Sequence, residues 1–257
     1  MDRRLERIER LSESEGASFE RLVAINLQKV RDRVARACAQ CGRRPETVAV
    51  LAVTKGFGPE AMAAAVKLGL TDIGENYLQE AAAKFAALPA SAGASARRHF
   101  IGGLQRNKAK RVAELFDVVQ SLDDKAAADA LDRAAQAASK RLDVLVQVNV
   151  VGDKRAGVAF ENASGFAAQV ARYEHLRLRG IMAIGPDDPA QIPTAFERAE
   201  RMFDAVRPLC GDEPTLSLGM SADLEAAVAA GSTMVRLGTA LFGARPPKRV
   251  DAPRGEG

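Results

Sequence analysis

TVAVLAVTKGFGPEAMAAAVKLGLTDIGE, residues 47–75, reads as one complete strand–helix–strand unit. It opens on an apolar, valine-containing run at 47–54, of strand length and with strand-favouring residues. A helical pattern follows at 59–68. Pro59 suits its first turn and Gly69 stands just past its last. A second short strand is expected at 71–75. Two strands joined by a helix read as a parallel pair.

The alternation continues along the chain. Further strands are expected at 98–103, 117–122, 142–150, 176–184, 215–219 and 233–242, which makes eight. Helices are expected at 77–88, 105–115, 124–139, 161–173, 190–208 and 221–230. Ser221 is read as the N-cap of the last of these, and Gly231 as its end. A long helix at 18–41 precedes the first strand. The pattern A-V-x-x-G-x-T occurs at 65–71 and again at 227–233, marking the same helix-to-strand joint twice. Eight strands with short connections predict an α/β fold, a single (β/α)8 TIM-type barrel over 18–244. The extra N-terminal helix would supply the outer-ring helix missing after the last strand. An open doubly wound sheet would need a glycine-rich turn after the first strand, and VTKGFGPE is not G-x-G-x-x-G. A flexible extension is expected at 1–17 and a disordered basic tail at 245–257. The stretch 87–97 reads as a loop.

The chain has 257 residues, 47% of them hydrophobic, enough for one sizeable core. Its net charge of +4 comes from 37 basic and 33 acidic residues, with no basic stripe interleaved with aromatics. Nucleic acid is therefore not expected as a partner. No apolar run approaches the roughly 20 residues of a membrane span. The N-terminus is charged and lacks the apolar core of a secretory signal, so the expected location is cytoplasmic. Cys38 and Cys41 form a C-x-x-C within a helix, with no second ligand pair and only two histidines in the chain, so no zinc site is expected.

In a barrel of this kind the site lies at the C-terminal ends of the strands. Unusual polar residues collect there: Lys55 after the first strand, Gly74-Glu75-Asn76 after the second and Gly102-Gly103 after the third. Asn149 closes the fifth, Met220-Ser221 follow the seventh, and Arg236, Gly238 and Thr239 belong to the eighth. Closure makes the last strand a neighbour of the first, so Lys55, Arg236 and the 238–239 turn share one sector. Ser221 and Gly238-Thr239 read as a phosphate cradle, since a serine at a helix start and a close backbone both suit an anion. An arginine inside a strand needs a partner. That partner is either a carboxylate in the barrel, such as Glu75, or a ligand. Lys55 reads either as a solvated lysine or as an amine that forms a Schiff base. Lysine, arginine and phosphate cradle together describe a pyridoxal 5′-phosphate (PLP) pocket, with aldimine, ring-nitrogen partner and phosphate clamp.

The segments LAVTKG (51–56), IGENYLQE (73–80), HFIGGLQRNKAK (99–110), LRLRGIMAI (176–184) and LSLGMSADLEAAVAAGSTMVRLGTALFGAR (216–245) resemble the pyridoxal phosphate homeostasis protein family. The resemblance implies a fold-type III PLP barrel with the cofactor as a covalent aldimine on Lys55. It implies Ser221, Gly238 and Thr239 as phosphate contacts, Arg236 facing the pyridine nitrogen, and Asn76 and Met220 as pocket lining. An arginine there disfavours protonation of the ring, so the cofactor would be held more than exploited. Thr54 departs from the serine common before the lysine, and Lys154 in the loop after the fifth strand is a candidate second contact.

Two functions follow as expectations. One is a carrier or regulator in PLP homeostasis without substrate turnover, a monomer passing the cofactor to apo PLP-dependent enzymes. The other is a PLP-dependent amino-acid racemase. Racemases of this likeness need a second base, a tyrosine from an added C-terminal domain. The chain's tyrosines are only Tyr77 and Tyr173, both in expected helices. A Schiff-base aldolase is the third alternative.

Overall fold

A computed structural model of the chain describes residues 3–88, 95–152 and 154–245, with side chains from residue 16 on. Eight parallel strands run β1 Ala49–Val53, β2 Asp72–Glu75, β3 Arg97–Phe100, β4 Val118–Leu122, β5 Leu142–Asn149, β6 Leu176–Ala183, β7 Thr215–Ser217 and β8 Met234–Leu237. Each pairs with its sequence neighbour, and β8 pairs with β1 with Arg236 opposite Leu51, which closes the barrel. The helices are α1 Arg3–Gln40, α2 Pro59–Lys67, α3 Leu78–Ala87, α4 Ala109–Leu115, α5 Lys125–Ala137, α6 Phe160–Val170, α7 Ile192–Val206, α8 Leu224–Ala229 and α9 Thr239–Phe242.

Side chains alternate along each strand, and the alternation sorts the apolar residues into two cores. The larger lies between barrel and helices and takes Ala52, Ile73, Phe100, Val119, Leu216, Val235 and Leu237. The smaller lies inside the barrel and takes Leu51, Val53 and Met234, with Ile101 packed on it. The inner rows are short of apolar residues, because several inward positions are polar: Gln120, Ser217 and Arg236 are all buried.

The expected closing helix is α1. Its stripe Val23, Leu27, Val30, Val34 and Ala37 is buried at helical spacing. It packs against α2, α8 and α9, completing the ring. Phe19 stacks on Phe242, and Asn26 Nδ2 donates to Leu241 O at 3.0 Å.

The A-V-x-x-G-x-T repeat marks two like joints. Gly69 and Gly231 both take positive φ, +84° and +82°. In each, the next N–H reaches back to the alanine five residues before it, Leu70 to Ala65 and Ser232 to Ala227, both at 2.9 Å.

Several expected boundaries move. α1 begins at Arg3, so the expected flexible extension at 1–17 is helical from there; Glu, Arg and Leu are strong helix formers. The expected eighth strand, 233–242, is a strand only to Leu237, because Gly238 O accepts from Leu241 and Phe242 N–H and starts α9. Ser221 is not an N-cap. It lies in a turn, and α8 begins three residues later, after Asp223. A two-residue strand, Val158–Ala159, pairs with β5 and has no expected counterpart. Residues 246–257 of the expected tail, and 89–94 of the expected loop, lie outside the described residues. Among the described residues no helix is long and apolar enough to cross a membrane.

Candidate functional site

The inward parity of β1 runs Leu51, Val53 and then Lys55, so the lysine continues the inner row one step above the strand. Thr54 to Phe57 form the turn that carries it: Phe57 N donates to Thr54 O at 3.1 Å, and Gly56 takes φ +76°. A positive φ at the third position of such a turn selects glycine, which is why T-K-G-F reads as it does. By the same parity Asn76 continues β2, Ile101 continues β3, Met182 belongs to β6 and Ile184 continues it, and Arg236 belongs to β8.

These rows meet in one cavity of about 320 Å³ at the C-terminal mouth. Lys55, Asn76, Met220, Ser221, Arg236, Gly238 and Thr239 all line it. So do Val53, Ile101, Met182, Ile184, Ala222 and Arg245, which sequence reasoning did not name. Ile101, Met182 and Ile184 were available from strand parity. Arg245 was assigned to the disordered tail, yet it is described, and its side chain lies against Gly56, 3.1 Å from where a Cβ there would stand.

Lys55 is half-buried. Burial, then the cations of Arg245 and Arg236, hold its pKa below the ordinary lysine value, with Glu75 opposing them. Arg236 is buried, and burial draws its pKa down to about 10. It is anchored by Nη1 to Ser217 O and Oγ and by Nη2 to Ala183 O, each at 2.8 Å. Of the two alternatives for Arg236, the pairing with Glu75 does not occur. Glu75 has the opposite parity and points out of the barrel toward α3, where Lys84 Nζ donates to it at 2.7 Å. Arg236 therefore keeps a buried charge facing the cavity while its described hydrogen bonds go to neutral oxygens.

Behind Arg236 a polar chain crosses the barrel interior. Ser217 Oγ donates to Gln120 Oε1 at 2.7 Å, and Gln120 Nε2 to His99 Nδ1 at 2.9 Å. His99 Nε2 reaches Asp72 Oδ1 at 2.7 Å. The donors run in one direction, from Arg236 to Asp72, which makes His99 neutral with its proton on Nε2. Burial lowers the His99 pKa in keeping with this, against the pull of Asp72.

Asn76 Oδ1 is buried with no hydrogen-bond partner in the described structure. Its backbone carbonyl lies so close to Gly102 that a Cβ there would stand 2.2 Å from it, which explains the glycine after β3. The loop of Ser221 is held from α1, with Arg33 Nη2 donating to Ser221 O at 3.0 Å. A Cβ at 238 would stand 3.2 Å from Val53 O, so the backbone there passes tight against β1.

Four other polar residues lie outside this cavity. Asn149 organises its own loop, accepting from Val151 and Gly152 N–H. Lys154 is exposed and does not line it. Neither tyrosine does. Tyr77 precedes α3, is 61% exposed and lines the neighbouring groove with Gly103 and Lys108. Tyr173, in the turn after α6, donates its hydroxyl to Asp129 on α5. Cys38, on the inner face of α1, is buried and Cys41 is exposed, and no cluster able to hold a metal occurs among the described residues.

Comparison with known proteins agrees with the barrel fold. The family described as alanine racemase, N-terminal domain, matches residues 25–246. A pyridoxal phosphate homeostasis protein of Escherichia coli is 42% identical over 227 residues, 87% of this chain and 97% of that protein. PipY of Synechococcus elongatus, solved with PLP bound, matches at 31% identity and TM-score 0.72, over 86% of this chain and 100% of that one. The alanine racemase of Corynebacterium glutamicum shares the fold at TM-score 0.66 and 16% identity, covering 91% of this chain but 63% of the racemase. The chain therefore belongs to the alanine racemase N-terminal domain family, among the pyridoxal phosphate homeostasis proteins.

Proposed function

We propose that this protein binds PLP, tethers it covalently through Lys55 and serves intracellular PLP homeostasis as a carrier without substrate turnover. The observation that carries the reading is the gathering of Lys55 and Arg236 in one cavity with Ser221, Gly238 and Thr239. The residues fit the cofactor. The cavity is of small-ligand size, Asn76 Oδ1 lacks a partner, and the tight backbone at Gly238 suits close approach to an anion. When bound, the cofactor supplies an aldehyde that an amine can capture and a ring that can draw electrons.

The chain's own residues do the rest. Lys55, with its lowered pKa, offers a larger neutral fraction of amine at neutral pH than a solvated lysine would. Arg236, locked by Ser217 and Ala183, presents a fixed cation to the cavity and would discourage a proton on a ring nitrogen held against it. The Ser221 hydroxyl and the N–H groups at the start of α9 would hold the phosphate. Met220, Met182 and Ile184 give the cavity apolar walls.

One feature favours the carrier over the racemase: neither tyrosine lines the cavity. In this reading the protein works in the cytoplasm as a monomer and gives the cofactor up to apo-enzymes. Spectrophotometric titration with PLP is expected to show saturable uptake that Lys55→Ala weakens, with no interconversion of D- and L-alanine. Turnover of alanine lost in Lys55→Ala would establish the racemase instead.

A further inference from the structure

Behind the Lys55 turn lies an ion-pair cluster that the proposed function does not use. Lys84 on α3 is 4% exposed. Its ammonium donates to Thr54 O at 2.6 Å, Glu75 Oε1 at 2.7 Å and Glu80 Oε1 at 2.5 Å, which occupies all three of its hydrogens. Glu80 Oε1 also accepts the Gly56 N–H at 2.6 Å. Thr54 Oγ1 donates to Glu75 at 2.5 Å. The peptide groups immediately before and after Lys55 are thus both held by one Lys84–Glu80 pair.

A staple that only joined α3 to the barrel could bond anywhere along β1 or β2. This one bonds the carbonyl of residue 54 and the amide of residue 56, so its geometry is addressed to residue 55. Within the turn Phe57 N–H donates to Thr54 O, its single internal bond among the described residues. Its two ends are held by Thr54 N–H donating to Gly74 O at 3.1 Å and by Phe57 packed on Phe242. The peptide groups on either side of Lys55 are held by the Lys84–Glu80 pair. Lys55 itself lies on the far side, in the cavity.

We propose that Lys84 and Glu80 are positioning residues that clamp the Thr54–Gly56 turn and set how fast Lys55 captures and releases its cofactor. This rests on the PLP-tethering reading above. Capture forms one carbon–nitrogen bond at the Lys55 amine and expels one water, and release takes that water back. Both need the amine at a fixed point, where a displacement of about 1 Å can cost on the order of 100-fold in rate.

The test is stopped-flow uptake and release of PLP by the full chain, followed by absorbance, with melting temperatures measured in parallel. Glu80 is partly exposed, so Glu80→Ala is expected to fold, and to capture and release with rates changed about ten-fold. Lys84→Met should shift the rates in the same sense. Glu80→Gln, which can still accept from both Gly56 and Lys84, should return them to within about two-fold. Phe85→Ala, a core change on the same helix whose ring packs on Phe116 and Arg98 and not on the turn, should lower the melting temperature without moving the rates. If Glu80→Ala does not fold, Glu80→Asp, shorter by one methylene, reads the same bonds. Wild-type rates in Glu80→Ala or Glu80→Asp, or equal changes in Phe85→Ala, overturn the clamp. Failure of the wild-type chain to take up PLP overturns the functional reading instead.

Discussion

An ordinary lysine is almost wholly protonated at neutral pH and is a poor nucleophile. Lys55 differs because β1 delivers it to the inner row, half out of water, beside two arginines. Arg236 is legible in the sequence as an arginine inside a strand, but its partner is not. Choosing between Glu75 and a ligand needed the parity of β2, which turns Glu75 outward to Lys84. His99 gives a prediction at this scale. It is buried neutral, so its folded pKa lies below the ordinary value of about 6.5. As pH falls through about 6.5 the unfolded chain takes up a proton that the folded chain refuses. Stability is therefore fully present above that pH and declines below it, by up to about 1.4 kcal/mol per pH unit for one group. Urea unfolding between pH 7.5 and 5.5 should show this slope, and His99→Gln should reduce it. An unchanged slope in the variant would place the titration elsewhere.

Among the elements, the sequence carried the order of strands and helices, because apolar runs and helix-ending glycines recur at regular spacing. It did not carry the short-range detail. Ser221 reads as an N-cap because serine precedes an apolar helix. Yet Asp223 accepts the Met220 N–H, makes a tight loop of 220–223, and starts α8 later. That loop is what turns Ser221 into the cavity. The eighth strand was read too long for a similar reason, since TALF is as apolar as a strand but Gly238 opens a helical turn. The N-terminal helix α1 is predicted to be a working part of the ring. Leu27 is 2% exposed in its buried stripe, so Leu27→Ala should cost about 2–5 kcal/mol in urea unfolding. A loss below about 0.5 kcal/mol would mean that α1 only rests on a barrel already complete.

For the whole molecule, closure is the property that makes the site. β8 beside β1 sets Arg236 opposite Leu51, four residues before Lys55, although 181 positions separate Arg236 from Lys55 in sequence. Lys55, Ser221, Arg236, Gly238 and Thr239 line one cavity, because the barrel argument fixed which strand ends are neighbours. Asn76 and Met220, which the resemblance named as lining, join them, whereas Asn149 does not. The cavity's apolar wall and Arg245 were not named, since an isoleucine or methionine carries no chemical signal of its own. The cavity brings together one amine, Lys55, and two guanidinium groups, Arg236 and Arg245. The most direct test of this account is borohydride reduction of the PLP-loaded chain, followed by peptide mapping. The account predicts loss of the visible band and a single reduced pyridoxyl adduct on Lys55. An adduct on another lysine, or none with the band intact, would contradict it.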